Sequence, residues 1–231
     1  MIKVENIHVD GFEAAIRGMR NPKNSWEKSD SGWEFDRIDD NGITVFKYKI
    51  GPADMDLAQR LFKGGNEHRK FLRMIHVSMD VTAPLYWWKE ADTYKVATVA
   101  DSCSTMHKIA AKEFTIDDFS HEHLKDFGGY YTNVYPHFIT SLERTIAELN
   151  EARLLYLEAD FNVDHPSKKD YWWQMIQLLP TSYNQKRTWD LNYETIFTII
   201  RQRTGHKLDE WNELVDIFKD LPYVREIGVL D

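Results

Sequence analysis

The 231-residue chain has one cysteine, Cys103, and no excess of basic residues. A single thiol excludes an internal disulfide framework and a multi-thiolate zinc site, and it fits a reducing cytoplasm. Lys and Arg number 29 against 37 Asp and Glu, a formal net charge of −8. That balance argues against a nucleic-acid polymer as partner, because such binding relies on basic residues that displace counterions. A single nucleotide is not excluded, since a few local cations can hold it. No apolar run approaches the length of a membrane span. Met1-Ile2-Lys3 leads into VENIHVDGFEAA, where Glu5, Asp10 and Glu13 interrupt any signal-peptide core. The expectation is a cytoplasmic protein with no membrane partner. A Gly-rich phosphate loop, a dinucleotide fingerprint, internal repeats and low-complexity segments are also missing.

What is present is a globular composition. Hydrophobic residues make up 42% and aromatic residues 13%, enough for a core in one domain spanning 1–231. IKVENIHVDG alternates as a strand whose period slips near Asn6. GFEAAIRGMR reads as a short helix stopped by Asn21-Pro22, and the polar stretch from Asn21 to Gly42 as a surface loop. ITVFKYKI reads as a strand and GPADMDLAQRLFKGG as a helix opened by Pro52. FLRMIHVSMDV, from Phe71, alternates as a strand buried on the face of Ile75, Val77, Met79 and Val81. Thr82 reads as the N-cap of an aromatic helix that ends near Asp92. Helices are expected over about 134–158, 168–178 and 192–203, the last capped by Asn192, with an extended TSYNQKRTWDL before it. A final amphipathic helix carries Leu208, Trp211, Leu214, Val215 and Phe218. Strands come early and helices late, so the class is α+β.

Four places carry residues suited to chemistry. In VTAPLYWWKEADTYKVATVADSCSTMHK, an aromatic helix precedes a run of small hydroxyl residues. Packing explains the aromatics; the Asp101–Thr105 run looks built for contact. Cys103 reads either as a small buried hydrophobe or as a reactive thiolate near Lys95 and His107. In the helix from Asn192, the spacing of Ile196, Ile199 and Arg203 puts them on one face. Arg203 either snorkels from the core or pairs with a buried acid, or it is held in a cleft for a phosphate or carboxylate. GGNEHRKF places His68, Arg69 and Lys70 ahead of a buried strand, as a charged turn or as a ligand contact. His121 and His123 read as solvated, with nothing nearby to complete a metal site.

These segments together resemble the flavin-dependent thymidylate synthases, best over 65–222. The frame is VTAPLYWW followed by a signature loop, then LLPTSYNQKRTWDLNYETIFTIIRQRTG, where Pro180, Trp189, Asn192 and Arg203 match the family spacing. His68 matches a family histidine ahead of the strand. The family loop is R-H-R-x-x-S-x-N-x-x-S-x-R. Here Thr93-Tyr94-Lys95, Thr98, Ala100, Cys103 and Thr105 occupy those positions, and Asp101 stands where the family has an acid. Ile176 stands near the family's arginine ahead of Leu-Pro.

The resemblance implies an α+β fold with an antiparallel sheet and packed helices, in a homotetramer with pockets between subunits. It implies FAD as cofactor and dUMP, or a related pyrimidine nucleotide, as the methylated substrate. Cofactor contacts would fall to His68, Lys70, Tyr94, Lys95 and Asn192. Substrate contacts would fall to Glu90, Asp101, Cys103 and Arg203, with Arg203 at the nucleotide phosphate. No protein nucleophile is needed when hydride comes from reduced flavin. Because the loop has lost its arginines, two other readings stand beside this one. One is a nucleotide-binding or structural homologue without the flavin chemistry. The other is an enzyme of altered chemistry that uses Cys103 as nucleophile.

Overall fold

The computed structural model describes residues 1–126, 137–159 and 166–230. The first strand, β1 (Lys3–Asp10), leads into α1 (Phe12–Arg20). Its period slip has a local cause: Asn6 adopts φ +54°, and its side-chain amide donates to Asp80 Oδ2 at 2.9 Å. Asparagine tolerates this left-handed region better than most residues. A 3₁₀ turn over Asn21–Lys23 follows α1, as the Asn-Pro stop requires.

The stretch expected to be a loop contains a strand, β2 (Gly32–Ile38), paired antiparallel with β3 (Thr44–Lys49). Its apolar residues misled the reading because they face outward: Trp33 and Phe35 are 60% and 58% exposed. Cross-strand ion pairs line this hairpin, Lys47 with Asp36 at 3.1 Å and Lys49 with Glu34 at 3.1 Å.

Next come α2 (Pro52–Lys63), β4 (His76–Pro84) and α3 (Leu85–Ala91). The strand expected from Phe71 begins only at His76; Lys70–Met74 is a 3₁₀ helix. Phe71 and Leu72 are adjacent and both buried, which the two-sided alternation of a half-buried strand does not provide. Thr82 lies within β4 and caps nothing. Ala83 precedes a proline and is biased toward extended backbone, so α3 starts only after Pro84, at ψ 151°. Its first N–H groups donate to other backbone: Leu85 N to Tyr183 O and Tyr86 N to Thr181 O, both at 3.0 Å.

The hydroxyl-rich segment forms β5 (Val99–Ser102) and a single turn, α4 (Thr105–Lys108). Then come α5 (Phe138–Glu158), α6 (Lys168–Leu178), β6 (Asn184–Asn192), α7 (Tyr193–Arg203), α8 (Asp209–Lys219) and α9 (Val224–Gly228). The expected start of α5 near position 134 lies outside the described residues. α9 was not foreseen, being five residues long and preceded by Tyr223 at φ +64°.

One sheet has the order β1-β4-β6-β5 and the other is the β2-β3 hairpin. The chain divides into two compact units. The first comprises Met1–Lys3, Val81–Thr93 and Asp101–Arg187. There α5 packs on α6 around Leu142, Leu149 and Met175, with Phe114 and Phe119. Trp87 and Trp88 of α3 are fully buried, so the aromatic helix is a core element. The second unit comprises Val4–Asp80, Tyr94–Ala100 and Thr188–Asp231. Its buried residues include Ile16 of α1, Val77 and Met79 of β4, Ile196 and Ile199 of α7, and Trp211 and Phe218 of α8.

Candidate functional site

The second unit builds its site around α7. Asn192 is 2% exposed, and its Oδ1 accepts from Thr195 N at 3.0 Å, as the sequence foresaw. Such a cap stabilises a helix by about 1 kcal/mol. The other end of the amide, Nδ2, reaches Ala97 O at 3.5 Å, and Thr195 Oγ1 donates to Val96 O at 3.2 Å. These bonds fasten the segment 94–98 to the start of α7. Ala97 at φ +53° turns the segment there, and Thr98 Oγ1 donates to Tyr94 O.

Tyr94 then reaches the other end of the helix. Its hydroxyl donates to Gln202 Oε1 at 2.9 Å and accepts from Arg203 Nε at 2.9 Å. The half-buried Arg203 guanidinium lies over the Trp211 ring at 4.5 Å and near the Tyr94 ring at 5.6 Å. Trp211 is fully buried, so the arginine rests on a fixed aromatic floor. Sequence reading gave Trp211 only a core role; its second role, under the cation, depends on how α8 folds back on α7.

His206 adds a second feature. Its Nδ1 accepts from Leu208 N at 3.1 Å, and its Nε2 is 3.0 Å from Arg203 Nη1. The guanidinium and the imidazole thus lie side by side next to the Trp211 ring.

His68 and Lys70 fall together on the turn before β4, and both are exposed. His68 Nε2 stands 3.9 Å from Glu67 Oε1. Lys95 is exposed beside Tyr94. Neither the Lys70 nor the Lys95 side chain forms an ion pair among the described residues.

The remaining foreseen residues lie in the first unit. Asp101 and Cys103 are exposed and Glu90 is half-buried. Exposure removes the reading of Cys103 as a buried hydrophobe. Cys103 N donates to Lys186 O at 3.0 Å, while Gln185 Nε2 donates to Cys103 O at 3.0 Å and Thr105 Oγ1 at 3.1 Å. The other end of Gln185 accepts from Arg187 Nε at 3.0 Å. Arg187 covers the Trp88 ring at 4.2 Å and pairs with Asp92 at 2.8 Å. Gln185 thus ties the hydroxyl-rich segment to the aromatic helix, a link invisible at the sequence separation involved.

Cys103 opens onto a cavity of about 500 Å³ that Lys108, Lys112, Lys186 and Tyr183 also line. Burial pushes the Tyr183 phenol up, so it stays protonated at neutral pH. Among the described residues no group of His, Cys, Asp and Glu side chains could hold a metal. His121 Nδ1 lies 2.8 Å from the backbone carbonyl oxygen of Phe119. No helix among the described residues is long and apolar enough to cross a membrane.

Neither a protein-family model nor a curated protein matches the chain. Two solved structures are similar to it over nearly its whole length. One is thymidylate synthase X from Helicobacter pylori with FAD and dUMP, 15% identical, TM-score 0.60, covering 98% of this chain and 96% of that one. The other is flavin-dependent thymidylate synthase from the same organism, complexed with FAD and dUMP. It is also 15% identical, with TM-score 0.61, covering 99% of this chain and 100% of that one. The shared fold is α+β, with an antiparallel sheet and packed helices.

Proposed function

We propose that this chain is a divergent flavin-dependent thymidylate synthase-like protein that methylates dUMP or a related pyrimidine nucleotide with FAD as cofactor. The observation that carries the reading is the Arg203 guanidinium, held by the Tyr94 hydroxyl over the Trp211 ring. Arg203 is the residue to which the family resemblance assigns the nucleotide phosphate. The whole-chain likeness to enzymes solved with FAD and dUMP supports the ligand classes.

The residues present fit an anionic cofactor. Lys70 and Lys95 are exposed cations without an ion pair among the described residues, and lysine serves a pyrophosphate as a mobile point charge. A reduced flavin, when bound, supplies hydride to the methylated ring. The chain's own residues bind and orient. Arg203 holds the phosphate, and Lys70, Lys95 and His68 hold the cofactor. The family resemblance assigns Asp101, Cys103 and Glu90 to the pyrimidine. Tyr94 stands at the family's histidine position and is bonded to Arg203, so this loop positions the phosphate-binding arginine where the family loop carries charge of its own. Asn192 holds that loop in place. The proposal includes a cytoplasmic homotetramer whose pockets draw on more than one chain.

The test is product formation. Incubation with dUMP, methylenetetrahydrofolate, FAD and NADPH is expected to yield dTMP, read by mass. Binding of dUMP without any dTMP would instead identify a homologue that kept the nucleotide site and lost the chemistry.

A further inference from the structure

A second cationic site lies on the other face of α7. Arg201 and Arg203 are about 200° apart around the helix at ~100° per residue, so they serve different surfaces. On the Arg201 face is a cavity of about 470 Å³. Arg69, Arg201 and Lys219 line it together with Phe62 and Phe197, and the lining includes no acidic residue among the described residues. Three positive charges are thus gathered in a chain of net charge −8.

The cations are not committed elsewhere. Arg69 lies over the Phe62 ring at 4.7 Å, and its Nε is buried with no hydrogen-bond partner. A buried donor in that state costs about 1–3 kcal/mol, more for a charged group, which a bound acceptor would relieve. The side chains of Arg201 and Lys219 form no ion pair among the described residues. Phe62 and Phe197 supply an apolar wall, their ring centroids 4.6 Å apart. The Asn66 side chain, also in the lining, makes no hydrogen bond among the described residues and can read a polar ring edge.

We infer that this cavity binds a small phosphorylated compound carrying one flat ring, of mononucleotide size. The cations would take the phosphate and the phenylalanines the ring. Guanidinium groups match phosphate by paired hydrogen bonds, and the volume is in the usual range for small-molecule sites, roughly 300–1,000 Å³. The inference does not depend on the Arg203 site.

Calorimetry with AMP and adenosine tests it on the intact protein. AMP is expected to bind, with adenosine at least tenfold weaker. Arg201→Gln and Lys219→Gln are each expected to weaken AMP at least fivefold, and both change surface-accessible side chains that the fold does not rely on. Arg203→Ala is expected to leave AMP affinity unchanged, which separates this site from the dUMP reading. Absence of AMP binding at millimolar concentration would overturn the inference. So would equal affinity for AMP and adenosine, AMP affinity insensitive to both glutamine variants, or AMP binding lost with Arg203→Ala.

Discussion

Replacing Asp54 with alanine is expected to lower the unfolding free energy by about 3–5 kcal/mol, the usual range for breaking a buried ion pair on one side. Asp54 is completely buried in the first turn of α2. Its carboxylate accepts from Arg20 Nε at 2.7 Å, Ser29 Oγ at 2.7 Å, Ser31 Oγ at 2.7 Å and Asp30 N at 3.1 Å. Asp30 returns the favour to the helix, accepting from Ala53 N at 2.9 Å and Asp54 N at 3.1 Å. The lattice joins α1, the turn before β2 and the start of α2. Without Asp54, the Arg20 guanidinium is left buried and uncompensated; its Nη2 already has no partner.

The same group sets a pH dependence. Burial by itself raises the Asp54 pKa, but the bonds from Ser29, Ser31 and Arg20 outweigh it and hold the carboxyl below its ordinary value of 3.8. A folded-state pKa below the unfolded one gives stability that is present above the unfolded pKa. That stability is lost as pH falls through the folded value. Denaturant titrations at pH 7 and near pH 3 should therefore converge: the gap between the native chain and Asp54→Ala is wide at pH 7 and narrows on acidification. A gap that does not change with pH would show that the lost stability comes from packing and not from the ionised carboxylate.

Replacing Arg203 with alanine is expected to weaken dUMP binding roughly ten- to hundredfold, since a charge-assisted hydrogen bond contributes about 1.5–3 kcal/mol. The arginine is oriented before any ligand arrives, by Tyr94 on one side and Trp211 on the other. Little side-chain entropy then remains to be lost on binding. Arg203→Lys keeps the charge but cannot reproduce the planar fork or its stacking on Trp211, so it should fall between the two. A purely structural arginine would behave differently: the alanine variant would melt earlier yet bind dUMP, by calorimetry, as tightly as the native chain.

The helical half of the fold was readable because its signals are local. The helix expected over 168–178 is α6 with those bounds. Asn192 caps α7, and the apolar stripe of α8 ends at a proline. The β2 strand was hidden because its large apolar residues point outward, so the alternation marks no core. The 3₁₀ turn at Phe71 was hidden because both of its apolar residues are buried through tertiary packing. The site shows the same division. Arg203 and Asn192 could be named from helical spacing. The Tyr94 hydroxyl bond depends on segments about 100 residues apart meeting, and the role of Trp211 under the guanidinium depends on α8 folding back on α7; no spacing rule reports either. Lys108, Lys112 and Tyr183 became visible around Cys103 only as the walls of a cavity.

The most direct test of the flavin reading is the absorbance spectrum of the purified protein after incubation with FAD and removal of the excess. A flavin band that survives the removal, and that weakens when Lys70 and Lys95 are both changed to Gln, is the predicted result. A chain that retains no flavin even after high FAD would contradict it and would leave nucleotide binding without flavin chemistry as the function of this fold.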